Sequence, residues 1–472
     1  MKRKQLVALC LTAALVISSL AGCGKAETST AGQDETQTEE AGEPAETASE
    51  PAEEAGEQEA TGDKPYEGTQ LTFWMQPYGE DPSIQTATLD KITAEFYEKT
   101  GITVNYTIND WGSAMQKLTL ASTGGEAPDV SDLFFTSAFV AMSSDEYGIM
   151  EVNDLVEDMG GEAAYLSAGK DEAYIDGNWY GVPWRLDTRM MLYNTEDFEK
   201  AGITEIPKTW DELIEVSKQL TETNDNGDIT HAGLSLLNNM GRYDQVWTVM
   251  LAQAGGEMMN ADFTEFTFDS EEGRKALKFL SDVVNEYNIS NNSVDASYDA
   301  LSEFMSGKTS IVFGAGPDSK VSILEAAPQM EGKFASAPLP LATGADNEKY
   351  TVAASAPISI FKSTEHPEAA KEWVKFFCSP ENQLLLSKEL LMLNTSAEVM
   401  ADAYFTEDPW LSVLAESAAR AQSLDMPLPT WGQIASWPDG PLPKMCSEVV
   451  NGGDMDAAIA KCLEEIEKIG LK

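Results

Sequence analysis

Aromatic side chains accompanied by hydrogen-bonding groups recur early in the chain, each time where a short apolar run ends. Trp74, Gln76 and Tyr78 close the first run, Trp111 follows the second, and Phe135 ends the third. Flat aromatic faces can stack on the apolar faces of a ring, while amide, carboxylate or hydroxyl groups pair with its polar rim. This combination predicts a ligand-binding site where the runs end; rings that only fill the local core are the alternative.

Motifs for catalysis are incomplete in the sequence. Residues 307–309 match the end of a phosphate-binding loop, but Ser302 stands where that loop requires Gly. Residues 167–170 fit S-x-x-K and residues 99–101 fit K-T-G, but their order is reversed and no S-D-N lies between them. With 79 acidic residues, some close carboxylate pair is inevitable, so glycoside hydrolysis stays open as an alternative.

Strands and helices alternate around the aromatic residues. A β-rich run at 70–74 is followed by a helical pattern that stops at Gly101, a second strand at 102–108, a second helix at 113–122 and a third strand from Asp129. Such alternation predicts parallel βαβ units, which bind ligands beyond the carboxyl ends of their strands. We therefore expect an α/β fold that gathers these aromatic residues at one edge.

The charge balance narrows the choice of partner. The chain has 31 basic and 79 acidic residues among 472, which gives a formal net charge of −48. A net negative field opposes binding to nucleic acid and to anionic membranes through a basic patch. A neutral or cationic solute is expected instead.

The first 64 residues differ from the rest in composition. A basic start and an apolar run at 6–20 are typical of a signal peptide, and the run is shorter than the roughly 20 residues of a membrane-spanning helix. Leu-Ala-Gly-Cys at 20–23 resembles a bacterial lipobox, which implies a signal peptide at 1–22 and lipidation of Cys23. An incidental Cys after an ordinary cleavage site is the alternative.

A tether is predicted between this anchor and the folded part. Residues 24–64 contain thirteen acidic residues, two Lys and no large apolar residue, so 23–64 is expected to be a lipid anchor and disordered acidic tether. The expected location is the cell membrane, lipid-anchored on its extracellular face.

The sequence after residue 64 shows neither a disulfide framework nor a complete metal-binding motif. Three scattered cysteines indicate buried free thiols, with a bridge between the last two as the alternative: Cys378, Cys446 and Cys462. Asn224, Asn226 and Asp228 alternate as in a calcium loop, but an EF-type loop prefers Asp first and Gly sixth, so a plain turn is expected. We predict no cofactor.

Short motifs follow one another in a fixed order along residues 65–472. They are Gly-Val-Pro at 181–183 with Tyr-Asn at 193–194, P-x-T-W-D-E-L at 207–213, F-x-x-G-K at 304–308, the helix start at 369–373 and Asn-Gly-Gly at 451–453. In this order they resemble the carbohydrate-binding cluster of ABC-importer solute-binding proteins, which includes the maltodextrin-binding proteins.

This resemblance implies a two-lobe periplasmic-binding-protein-like fold of type II, whose interlobe cleft closes on its ligand. The implied lobes are 65–186 with about 355–395, and 187–354 with about 396–472, joined by crossovers near 183–187 and 355–360. It further implies a monomer that does no chemistry and delivers a sugar or oligosaccharide to an ABC permease. A surface glycoside hydrolase and a binding protein for peptide or another polar solute are the alternatives.

The resemblance also implies particular ligand contacts. Trp184, Arg185 and Asp187 straddle the first crossover, and Asp187 matches an acidic residue that contacts sugar hydroxyls in the relatives. Asp318 stands after a Pro where some relatives have Trp, which implies a different arrangement of subsites. Further aromatic contacts are implied at Tyr243, Trp247, Trp431 and Trp437.

Overall fold

A computed structural model describes residues 64–79, 81–236, 242–291, 299–344, 351–436 and 438–471. Cys23, Trp437 and nearly all of the predicted tether lie outside these residues. Among the residues described, no helix is both long enough and apolar enough to cross a membrane.

Short strands form the centre of the described chain. The strands are β1 (Gln70–Met75), β2 (Thr103–Ile108), β3 (Val130–Asp132), β4 (Tyr174–Ile175), β5 (Asn178–Trp179), β6 (Val182–Thr188), β7 (Met190–Asn194), β8 (Glu222–Thr223), β9 (Ile229–His231), β10 (Ser235–Leu236), β11 (Ile311–Ala315), β12 (Phe334–Ala337), β13 (Thr351–Ile360), β14 (Leu393–Asn394) and β15 (Ala421–Ser423).

The strands assemble into two main sheets. The first has the order β14-β6-β13-β3-β1-β2, with β15 beside β13, and the second has the order β10-β11-β7-β12. β1 pairs in parallel with β2 and β3, which confirms the predicted βαβ units, whereas β13 runs antiparallel to β3 and β6. The first sheet is therefore mixed rather than wholly parallel.

The chain passes from the first sheet to the second between β6 and β7, which are separated only by Arg189. β13 is paired with β6 from Ala353 to Ile358 and with β15 from Thr351 to Ala353. β6, β13 and β15 thus form a ribbon of strands. This ribbon connects the half of the protein built around the first sheet with the half built around the second. The lobe boundaries given above stay a prediction.

Helices cover the sheets. The helices are α1 (Pro82–Thr100), α2 (Trp111–Gly124), α3 (Thr136–Met142), α4 (Asn153–Asp158), α5 (Ser167–Ala173), α6 (Thr195–Ala201), α7 (Trp210–Leu220), α8 (Tyr243–Gln253), α9 (Glu271–Asn285), α10 (Ala300–Met305), α11 (Ser319–Ala326), α12 (Pro367–Phe377), α13 (Pro380–Leu390), α14 (Ala397–Met400), α15 (Ala403–Glu407), α16 (Pro409–Ala419), α17 (Trp431–Ile434), α18 (Pro441–Val450) and α19 (Met455–Ile469).

Local signals in the sequence explain several helix ends. Gly101 takes a left-handed conformation with φ of 82° and ends α1, as its position predicted. At the start of α7, Thr209 and Glu212 form the predicted capping box, and Trp210 is buried in the core beside it. The predicted turn at Asn224 closes the β8–β9 hairpin, where the Asn224 side-chain oxygen accepts from the backbone of Asn226 and Asp228.

Each half has its own hydrophobic core. Phe73, Phe96 and Trp373 belong to the core of the first sheet, and Trp210 and Trp247 to that of the second. All three described cysteines are free and buried, which confirms the predicted thiols. Cys378 lies in the first core, whereas Cys446 and Cys462 lie in the second.

Candidate ligand-binding cleft

A cavity of about 400 Å³ lies where the two halves face each other. Tyr78 and Trp111 enter it after β1 and β2 of the first sheet, and Arg185 and Asp187 enter it from β6. Asp318, just after β11, closes it from the second sheet. The carboxyl ends of β1 and β2 thus deliver aromatic rings to one site, as the alternation of strands and helices predicted.

A buried carboxyl group, Asp132 at the end of β3, supports the floor of this first cavity. Asp132 accepts hydrogen bonds from the Tyr78 hydroxyl and, at 3.2 Å, from the Trp184 indole N–H. Burial raises the pKa of Asp132 to about 6, although the nearby Arg185 cation and these hydrogen bonds act in the lowering direction. The network fixes the Tyr78 ring and holds Trp184 behind it.

Arg185 is surrounded by aromatic rings. Its guanidinium lies 4.8 Å from the Tyr78 ring centre, 5.0 Å from that of Phe134 and 6.0 Å from that of Trp111. Its Nε is buried and has no hydrogen-bond partner among the described residues. Aromatic rings and the charges of Asp187 and Asp132 therefore surround the cation at the cavity wall.

Opposite charges are matched along the rest of the wall. Arg189 forms an ion pair of 2.8 Å with Asp187. Gly316 lies beside them, and a Cβ there would be 3.1 Å from Asp318 and 3.8 Å from Asp187. Two arginines and two aspartates thus leave the wall near neutrality, which suits an uncharged solute.

A second cavity of about 320 Å³ is lined by Phe135 from the first half and by Arg242, Asp244, Asp425 and Trp431 from the second. Arg242 pairs with Asp244 through two bonds of 3.1 and 2.9 Å, and the Trp431 indole N–H donates to Asp425 at 2.9 Å. An aromatic ring from each half and fixed polar groups again meet at one place.

Glu172 of α5 is buried close to Asp425. It accepts a hydrogen bond of 2.9 Å from the backbone N–H of Thr136. Burial, followed by the nearby Asp425 carboxyl, raises the pKa of Glu172 to about 8. Burial likewise raises the pKa of Asp425, so the pair retains a proton at neutral pH.

Both cavities open on the same face of the connecting ribbon. Asp187 lies directly opposite Ala354 in the β6–β13 pairing, and directly paired residues point to the same side of a sheet. Asp187 lines the first cavity and Ala354 lines the second. The two cavities are therefore two parts of one cleft that crosses β6 and β13.

The structure brings seven of the predicted site residues to this cleft. Five line the first cavity and two line the second: Tyr78, Trp111, Arg185, Asp187 and Asp318, and then Phe135 and Trp431. Trp74 is half-buried and packs on a small core cluster, and Gln76 is buried under the floor, so neither lines a cavity of the cleft. Trp437 lies outside the described residues.

Three further predicted contacts are buried in the core of this structure. Trp184 is 1% exposed because strand alternation turns it away from Arg185 and Asp187. Tyr243 and Trp247 are each 0% exposed in α8, and the Trp247 N–H donates to the Gly273 carbonyl at 3.2 Å.

The sequence did not indicate several residues that line the cleft or lie buried behind its lining: Arg189, Arg242, Asp244 and Asp425, and Asp132 and Glu172. For Arg189 a signal existed, since it stands two residues after Asp187, and the extended chain keeps both on one side. For Glu172 and Asp425 none existed, because they meet only through the tertiary fold.

A cleft between two α/β halves, with aromatic rings and fixed polar groups on both sides, defines a solute-binding protein. A family model described as bacterial extracellular solute-binding protein matches residues 81–384. The chain belongs to that family.

Individual relatives agree with this assignment. The chain is 23% identical over 399 residues to the diacetylchitobiose binding protein DasA of Streptomyces coelicolor, covering 82% of this chain and 86% of that protein. The sugar-binding protein MalE of Xanthomonas citri matches with a TM-score of 0.71 and 22% identity, over 85% of this chain and 97% of that one. A solute-binding protein of Thermotoga lettingae bound with alpha-D-tagatose matches with a TM-score of 0.68 and 24% identity, over 85% of this chain and 100% of that one.

These structural matches confirm the predicted two-lobe type II fold.

Proposed function

We propose that the protein captures a neutral sugar or oligosaccharide in the cleft and delivers it to the permease of an ABC transporter. The observation that carries this proposal is the first cavity, where the Tyr78 and Trp111 rings face charge-matched arginine and aspartate side chains. Rings can stack on sugar faces, and a site that hydrogen-bonds hydroxyl groups rejects analogues that lack them. DasA and MalE are named for sugars, which supports the same ligand class.

Capture without chemical conversion is part of the proposal. Asp187 is held in an ion pair with Arg189, which suits a fixed acceptor for sugar hydroxyls. Incubation of the purified protein with a bound sugar should return the sugar unchanged in chromatography. Release of shorter saccharides would favour the glycoside hydrolase alternative.

A thermal-shift screen with mono- and oligosaccharides, amino acids and short peptides tests the ligand class. A sugar at 100 times its Kd should add roughly 2.7 kcal/mol of apparent stability. Asp187→Asn should lower the affinity for that sugar at least tenfold, because the acceptor loses its charge and Arg189 loses its partner. The matched control is Glu205→Gln, an exposed carboxylate outside the cleft. Stabilisation by peptides alone would contradict the sugar assignment.

Anchoring through lipidated Cys23 is proposed from the lipobox resemblance. Cys23→Ala in the full chain should move the protein from the membrane fraction to the medium. Continued retention in the membrane fraction would exclude the anchor without affecting the proposed ligand.

A further inference from the structure

A groove of about 710 Å³ adjoins the second cavity at Thr248 and Asp425 and extends past the β15 edge of the connecting ribbon. One wall is the end of α5 with β4, and the other is formed by residues 257–264 and 422–429. We propose that this groove is a second binding site, which takes an organic cation with an apolar body.

The charge of the lining supports a cationic ligand. Four exposed carboxylates line the groove, namely Asp171, Asp176, Glu257 and Asp262. Lys170 is the basic residue of the lining, and it is engaged in an ion pair with Glu162. A concave surface lined by one sign of charge concentrates ions of the opposite sign, and the net charge of −48 adds to this field.

The apolar part of the lining fits the body of such a ligand. Met258 and Met259 lie in the floor and are largely buried, and Met426 and Pro427 form the adjacent wall. Methionine side chains are flexible and polarisable, so they adapt to apolar groups of different shape. A small inorganic ion would leave this surface unused.

Two exposed aromatic rings stand among the lining residues. Tyr174 is 36% exposed and Phe263 is 41% exposed, and both line the groove. Phe263 has φ of 50°, a conformation that bulky residues rarely adopt, and its backbone N–H donates to the Asn260 carbonyl at 3.0 Å. The turn therefore presents the Phe263 ring outward.

An ammonium group already lies against one of these rings. The Lys170 Nζ is 5.1 Å from the centre of the Tyr174 ring. This distance is within the range in which a cation is attracted to an aromatic face. A ligand ammonium group would find the same kind of surface at Phe263.

The test is calorimetric titration of the full chain with 2-phenylethylammonium chloride and, separately, with the neutral 2-phenylethanol. We expect saturable one-to-one binding of the cation and at least tenfold weaker binding of the alcohol. Asp176→Asn combined with Asp262→Asn should weaken cation binding at least tenfold, and Phe263→Ala at least threefold. Both aspartates and Phe263 are at the surface, so these variants are expected to fold; circular dichroism checks this.

Controls separate this site from the cleft. Glu205→Gln should leave cation binding unchanged, and so should Asp187→Asn, because Asp187 lies in the first cavity rather than in the groove. Equal binding of the alcohol, no saturable binding of the cation, or unchanged binding by the folded double variant would overturn the proposal. None of these results bears on sugar binding in the cleft, which the thermal-shift screen reads separately.

Discussion

The two cavities of the cleft each rest on a buried carboxyl group, and these groups differ in their partners. Asp132 receives hydrogen bonds from Tyr78 and Trp184 and lies near the Arg185 cation. Glu172 receives one backbone hydrogen bond and faces a second carboxyl, Asp425. The pKa of Asp132 rises only to about 6, whereas that of Glu172 rises to about 8. The different partners of these two buried carboxyl groups therefore give a higher pKa in the second cavity than in the first.

Arg185→Met should have the largest effect on the stability of the protein. It removes the nearby cation that distinguishes the surroundings of Asp132 from those of Glu172. That cation acts to lower the pKa of the buried Asp132, and leaving a buried polar group without this compensation costs about 1–3 kcal/mol. Chemical denaturation at pH 7 measures the loss. Asp132→Asn combined with Arg185→Met should recover part of it, since Asn can accept from Trp184 and donate to the Tyr78 oxygen. An Arg185→Met protein as stable as the wild type would show that the cation is not needed there.

Glu172→Gln should change how the free energy of unfolding depends on pH, and so test the role of the buried carboxyl group in the second cavity. A folded-state pKa raised from 4.5 to about 8 means that the folded protein holds a proton which the unfolded chain has released in this window. Wild-type stability should therefore fall as pH rises from about 4.5 to 8, by up to about 1.4 kcal/mol per pH unit. Glu172→Gln should reduce this slope, and most clearly above pH 6, where Asp132 no longer contributes.

Unfolding free energies measured from pH 6 to pH 8 provide the test. Asp132→Asn serves as the control, because it should leave the slope above pH 6 in place. An identical slope in Glu172→Gln would assign the proton to another group.

The smallest effects on stability are expected for Trp→Phe substitutions, one in each cavity of the cleft. Trp431→Phe removes an indole N–H that donates to Asp425 in a buried setting, at a cost of about 1–2 kcal/mol. Trp111→Phe removes an N–H that donates to the Pro77 carbonyl at 3.0 Å, but Trp111 is 47% exposed, so about 0.5 kcal/mol or less is expected. Thermal unfolding at pH 7 compares them, and a larger loss for Trp111→Phe would reverse the ranking.

Much of the first sheet and one side of the cleft could be predicted from the sequence. Alternating strands and helices placed Tyr78 and Trp111 at strand ends, and the structure brings both into one cavity. Trp184 is buried while Arg185 and Asp187 line the first cavity, because neighbouring residues of a strand point to opposite faces. The two-residue period, applied to β6, would have separated it from them.

The second cavity could not be predicted in the same way. Glu172 and Asp425 are far apart in the sequence, and they approach only when α5 and the segment after β15 pack on the same ribbon. Helix periodicity also does not identify a helix that is buried on all sides, so Tyr243 and Trp247 in α8 gave no sign of their core positions. Local patterns determine elements, whereas these contacts depend on packing between distant segments.

The reactivity of the buried cysteines can be used to measure when each half of the protein unfolds. Burial raises the pKa of Cys378 in the first core and of Cys446 and Cys462 in the second, so an alkylating reagent meets protonated, inaccessible sulfur while the fold is intact. Mass spectrometry of peptides from a labelling time course would therefore time the unfolding of the two cores separately. Equal labelling rates would show that the halves unfold as one cooperative unit.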